Sequence, residues 1–309
     1  MSTLAIAGAS GKLGFATLTA LLDHNLIPST SIICTTSSTS GYENLSQITG
    51  VSIRHASWDD ESSWETALQG CNKLLLISSA RIDKDFAEAP PGQGREADHY
   101  NALRAASKVG VEHVYYTSLA FAIPSLSRVA VAHERTEDYL HQHWNGKLTV
   151  LREGLYNESW PLYLGHYDVP NDDRKDIVVA GDGKISWTSI AVLGLATALI
   201  LAADGKEWDG RTVYLSQRQA YTLAEVAEMM SRVKGREVRV KVVERDEHEK
   251  YYVQERGMDE LLIEWWSKTY DALRKNECEI HDPTLEDLLA AKGVKPNAME
   301  ETVREMLSG

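Results

Sequence analysis

The sequence predicts an α/β protein: a doubly wound parallel sheet joined to a smaller C-terminal α+β unit. Three observations carry the prediction. In the first half, short apolar runs alternate with helical stretches of ten or more residues, the pattern of repeated βαβ units. A glycine-studded turn, GASGKLG, joins the first apolar run to the first helix. In the second half the alternation lapses, and helices rich in Trp, Tyr and charge run to the end.

Element by element, LAIAG reads as a buried strand and FATLTALLDHN as a helix. SIICTT is a second strand, followed by the biased tract CTTSSTSG, read as a loop. VSIRHASW is a third strand ending at Asp59 and Asp60, and SSWETALQG a helix. KLLLISSA is a strand, GREADHYNALRAASKVG a helix and VEHVYYTSLAF a strand. SRVAVAHERTEDYLHQH is a helix and KLTVLREGLY a further strand. DIVVAGDGKISWTSI then suggests a small hairpin or strand leading into the helix SIAVLGLATALILAA. TVYLSQ, YTLAEVAEMMSRVKG and VRVKVV read as strand, helix, strand. The domain boundary falls near residue 153, with the strand at 212–217 expected to return to the first sheet and 154–309 to form a mostly helical substrate domain.

In the turn, Gly8, Gly11 and Gly14 stand at three-residue intervals. The first permits a tight turn, the second lets backbone approach a pyrophosphate, and the third lets helix pack on strand. Ser10, Lys12 and Leu13 complete the loop, and the helix N-terminus aims free N–H groups at an anion. An ATP loop is excluded, because Ile6 stands where its first glycine belongs and Leu13 follows Lys12 where Ser or Thr is required. A dinucleotide-binding Rossmann domain over 1–153 follows. NAD sites usually place an acid about 20 residues beyond the glycines. Here the second strand ends in Thr35, Thr36, Ser37 and Ser38, so NADP(H) is favoured over NAD(H). Lys12 would neutralise the 2′-phosphate, or else is a solvated lysine at a helix start.

Composition narrows the partners. A formal net charge of −13 argues against nucleic acid, which requires a basic patch. No apolar run is long enough to span a membrane, and a strand begins too early for a signal peptide. Cys34, Cys71 and Cys278 show no metal-ligand spacing. The expectation is a cytoplasmic monomer or homodimer that uses no metal and acts on a small molecule.

GASGKLG, HYNALRAASKVGVEHVYYTSL, LREGLYNES, GDGKISW and TLEDLLAAKGVKPNAMEETV, in that order, resemble the NmrA-like branch of the atypical short-chain dehydrogenase/reductases over nearly the whole chain. That branch includes NADPH-dependent quinone reductases and, more distantly, isoflavone-reductase-like enzymes. The resemblance implies a substrate cleft between the two domains. It places the nicotinamide near Ser78, Ser79, Ala80, Thr117 and Ser118. It lines the cleft with Gly154–Ser159, including Tyr156 and Asn157, and sets Asp59 at the adenine end.

No lysine has a tyrosine four residues before it, so the usual Tyr–Lys proton relay of short-chain dehydrogenases is missing. At the corresponding place stand His133 and Glu137, one turn apart, as the family's replacement. On one helix face the carboxylate would orient the imidazole and favour its protonated form, which would donate to a substrate oxygen. An ordinary helix-surface pair is the alternative. Ser118 and Tyr156 are competing donors, with a strand-end cap and plain packing as their alternatives. Without the Tyr–Lys pair, acceptors whose product anion is delocalised are favoured. The expected function is an NADPH-dependent reductase of a quinone, enone or other activated carbonyl or imine; a non-catalytic NAD(P)-sensing regulator is the rival.

Overall fold

A computed structural model describes residues 3–121 and 123–308. Seven parallel strands form the central sheet: β1 (Leu4–Ala7), β2 (Ile32–Thr36), β3 (Ser52–His55), β4 (Lys73–Leu76), β5 (His113–Leu119), β6 (Lys147–Glu153) and, after β7 (Asp176–Val179), β8 (Arg211–Leu215). Their spatial order is β3-β2-β1-β4-β5-β6-β8, so the strand order reverses at β1. That reversal opens a crevice beyond the carboxyl ends of the strands, where α/β sheets of this type bind dinucleotides.

Both faces of the sheet are covered. Helices 61–68, 96–108 and 131–143 bury Trp64, Leu103 and Leu140 against one face. Helices 12–23, 190–202 and 284–290 bury Leu18, Leu193 and Leu285 against the other. Helix 190–202 is apolar all round because it is buried all round. It approaches helix 12–23 so closely that a Cβ on Gly194 would lie 2.6 Å from the Ala16 carbonyl carbon. Residues 154–309 therefore do not form one separate unit: 190–202 and 284–290 pack on the sheet, and β8 pairs with β6 in register.

The second core gathers Trp160, Tyr163, Trp187, Trp265, Trp266 and Tyr270 with helix 223–234. Its two strands, β7 and β9 (Arg239–Val242), pair in parallel, so of the two readings of DIVVAGDGKISWTSI the strand holds and the hairpin does not. Another departure is CTTSSTSG, whose end opens a helix at Thr39–Ser46 because Ser38 Oγ accepts from Gly41 N–H at 3.0 Å. All three cysteines are buried and free. Among the described residues no helix is long and apolar enough to cross a membrane, and no cluster of His, Cys, Asp or Glu is arranged to hold a metal.

Three histidines tie stability to pH. Burial pushes His113, His166 and His248 each down to about 4. Both ring nitrogens of His248 lack a partner. An imidazole whose folded value lies below its unfolded value near 6.5 takes up a proton on unfolding. The stability it contributes is complete above that value and is lost as pH falls toward 4. Each contributes a slope of up to about 1.4 kcal/mol per pH unit in this window. Urea unfolding at pH 7, 6 and 5 should show a steep fall in stability, with a shallower slope in His248→Leu. A flat profile would refute the assignment.

Candidate active site

The glycine turn comes first because it positions everything else. Gly8 has φ +79°, in the left-handed region, and its carbonyl accepts from Gly11 N–H at 3.0 Å. A Cβ on Gly14 would lie 2.3 Å from the Gly8 oxygen and 2.8 Å from Ala9 Cα. Gly11 caps helix 12–23 without any side-chain bond, and the first turn holds no acid. The helix therefore presents uncapped N–H groups and unopposed positive potential beside a bare backbone cradle, which fits a pyrophosphate. Leu13 is buried beneath the turn.

At the end of β2, Ser10 Oγ lies 3.5 Å from Thr36 Oγ1, and a Cβ on Gly41 would meet both hydroxyls and Ser38 Oγ. This hydroxyl cluster carries no carboxylate. Lys12, the expected counter-charge there, is close enough to Glu158 to lower that carboxyl, whose stronger perturbation is upward, by burial. Asp59 is exposed and makes a two-pronged pair with Arg81, both bonds 2.7 Å. Arg81 also reaches the buried Asp98, which Lys84 and Ser79 bond as well.

A cavity of about 320 Å³ opens where β4, β5 and β6 end. Its sheet side is lined by Ile77 to Ala80, Thr117 to Leu119, and Glu153 to Tyr156; its far side by Tyr163, Leu262, Trp265 and Trp266. Ile77 also borders the turn, its Cβ 3.5 Å from where a Gly8 Cβ would be, so cradle and cavity share this residue between them. Ser78, Ser79 and Ala80 are held open by a relay: Thr117 Oγ1 accepts from Ser78 N–H, and His99 Nε2 accepts from Ser79 N–H at 2.9 Å. Since Thr136 donates to Ala132 O, His99 Nδ1 donates to Thr136 Oγ1, and the ring is neutral. Burial, reinforced by Arg95 and Lys84, holds it so.

The expected His133–Glu137 pair does not form. His133 Nδ1 meets Tyr116 Oη at 3.1 Å, while Glu137 is bonded by Arg152 at 2.6 Å and 3.2 Å and by Ser118 Oγ at 2.5 Å. Arg152 stands on β6 beside Ser118 on β5, and a guanidinium on the sheet outcompetes an imidazole on the carboxylate's own helix. Burial first, then Arg95 and His99, holds His133 well below its ordinary value, so its ring is neutral rather than cationic. Ser118 spends its proton on Glu137 and offers a ligand only lone pairs. Tyr156 lines the cavity, but burial, then Glu153 and Glu158, push its phenol up. Asn157 is absent from the cavity wall; its amide donates to Thr302 Oγ1 at 3.1 Å and ties this segment to helix 299–308.

Two charged cavity residues escaped the sequence reading. Arg95 is buried, pairs with Asp85 at 3.2 Å, and donates to the Ser79 and Val129 carbonyls. Glu153, the last residue of β6, is 1 % exposed, and burial pushes its carboxyl up to about 8. The only available signal was an acid closing the apolar strand LTVLRE.

A model of the NmrA-like family matches residues 1–265. The chain belongs to the NmrA-like family. Among relatives of this NmrA-like protein, quinone oxidoreductase 2 of Escherichia coli is 32% identical over 236 residues, 76% of each chain. An NmrA-like oxidoreductase of Aspergillus flavus is 28% identical over 98% of this chain and 94% of its own. Among solved structures, Citrobacter triphenylmethane reductase complexed with NADP(H) superposes with a TM-score of 0.81 at 28% identity, covering 99% of this chain and all of that one. The NADPH complex of Escherichia coli quinone oxidoreductase 2 gives 0.81 at 27%, covering 98% and 99%. The NmrA transcriptional regulator itself, at 14% identity and a TM-score of 0.71, shares the fold.

Proposed function

We propose that this protein is an NADPH-dependent oxidoreductase that reduces a quinone, enone or other conjugated carbonyl through a site lacking the Tyr–Lys pair. The observation that carries the reading is the cavity itself: apolar, aromatic on one wall, and set at the ends of β4 to β6 with Ile77 between it and the glycine turn. Its size and lining suit a small planar substrate. The NADP(H) complexes of the Citrobacter and Escherichia coli structures support the cofactor assignment.

The residues present fit that cofactor. The uncapped N–H groups after Gly11 would hold the pyrophosphate, and Ser10 and Thr36 would face the adenine ribose, where the missing acid leaves room for a 2′-phosphate. Ser78 to Ala80 and Thr117 would border the nicotinamide. When bound, NADPH supplies the hydride. The protein's part is to stack the acceptor against Trp265 and Trp266, keep water out with Tyr163 and Leu262, and hold a hydrogen-bond donor at the acceptor oxygen.

NADPH and NADH titrated by fluorescence, followed by a panel of quinones and enones at the NADPH absorbance, tests the reading. The expected result is tighter binding of NADPH and saturable, acceptor-dependent oxidation. Binding without turnover across the panel would replace it with the sensor reading.

A further inference from the structure

We propose that Glu153 is the acid that protonates the substrate oxygen during reduction of a quinone or related conjugated carbonyl. The proposal rests on the reductase reading above and names its proton donor.

Glu153 closes β6 on the sheet face shared with Leu151, toward helix 190–202. Its Oε1 accepts from Thr197 Oγ1 at 3.2 Å. Its Oε2 is buried without a partner, yet the residue lines the cavity. The titratable and charged groups around it are Tyr156 on the following segment, and His133 and Arg95 on other walls of the same cavity. Among the described residues none of these pairs with or hydrogen-bonds Glu153. A carboxylate with one neutral donor and no cation is poorly stabilised in such a place, so the carboxyl retains its proton near neutrality. Burial alone accounts for the direction, against the weaker pull of Thr197. A neutral carboxylic acid that keeps one oxygen unpartnered, on a residue bordering the cavity, can donate both a hydrogen bond and a proton.

The other candidates are spoken for. His133 is neutral, the Ser118 proton lies on Glu137, and the Tyr156 phenol is too weak an acid. In the step proposed, the acceptor gains a hydride, with its two electrons, from NADPH. The electron pair displaced from the carbonyl π bond moves to oxygen, where an O–H bond forms as the Glu153 O–H breaks. A quinone, NADPH and one proton thus become a hydroquinone and NADP⁺, and the Glu153 carboxylate recovers its proton from solvent.

Infrared difference titration of the ligand-free protein should show a protonated-carboxyl band that disappears near pH 8 and is missing from Glu153→Gln. In steady state, kcat/KM for a benzoquinone should fall as pH rises through about 8. Glu153→Gln should lower kcat by about 10²-fold and remove that limb, while NADPH affinity stays near wild type. Glutamine is isosteric and keeps the bond from Thr197, and the wild-type band and pH profile need no variant. A carboxyl titrating near its ordinary value, or a Glu153→Gln enzyme with wild-type kcat and pH limb, would overturn the proposal while leaving the reductase reading intact. A wild-type protein that binds NADPH but oxidises it with none of the acceptors would overturn both.

Discussion

Gly14→Ala is expected to cripple NADPH binding while a glycine substitution elsewhere does not. The added Cβ would sit 2.3 Å from the Gly8 carbonyl oxygen and 2.8 Å from Ala9 Cα, both backbone atoms that cannot swing aside. Helix 12–23 must therefore move off β1, and the N–H groups that face the pyrophosphate move with it. Overpacking of this kind costs about 1–3 kcal/mol. If the cofactor bears that cost, its dissociation constant rises about 5- to 150-fold. Gly110→Ala is the control: its φ of +80° strains the variant, but no atom lies within 4 Å of the new Cβ. It should lose up to about 1 kcal/mol of stability and keep its NADPH affinity. Isothermal titration of both variants decides the matter, and equal affinities would remove the cradle from the argument.

The second large effect is on stability. Glu137→Ala should lower it by about 3–5 kcal/mol, because Arg152 would stay behind in the protein with an uncompensated charge. Arg152 is only 16% exposed at its side chain and keeps one other described partner, Tyr214 Oη at 2.7 Å. At about 1.5 °C per kcal/mol for a chain of 309 residues, the thermal midpoint should fall by about 5–8 °C. Removing both charges, as Glu137→Leu with Arg152→Met, should recover much of the loss, since the desolvation cost of the pair disappears with it. Were Glu137 instead a helper of His133, its removal would change the pH profile of turnover and leave the midpoint near wild type.

Much of the fold was legible because its causes are local. The βαβ alternation follows from side-chain period, and the run Gly8, Gly11, Gly14 follows from backbone geometry that few other residues tolerate. The strand at 212–217 was expected to return to the first sheet, and β8 does pair there with β6. By contrast, helix 190–202 read as part of the second domain, because an apolar helix does not say which core it fills. The short helix at 39–46 was hidden by its polar composition, although Ser38 is a good cap.

The candidate site was legible in outline and misread in its chemistry. Ser78 to Ala80, Thr117, Ser118, His133 and Tyr156 do converge on one cavity. Their protonation does not follow from the sequence. Helical spacing brings His133 and Glu137 to one face, but only the sheet brings Arg152 alongside to take the carboxylate. Glu153 looked like one more acid in a chain of net charge −13. Strand period, turn geometry and the missing ribose acid are properties of neighbours in sequence, so the parallel sheet, the glycine turn and the expectation of NADP(H) came from the sequence alone. Ionisation is a property of neighbours in space, because desolvation and pairing come from residues tens of positions away. Only the tertiary structure could decide that His133 is buried without its carboxylate, that Ser118 is engaged by Glu137, and that Glu153 is buried with one oxygen unpartnered.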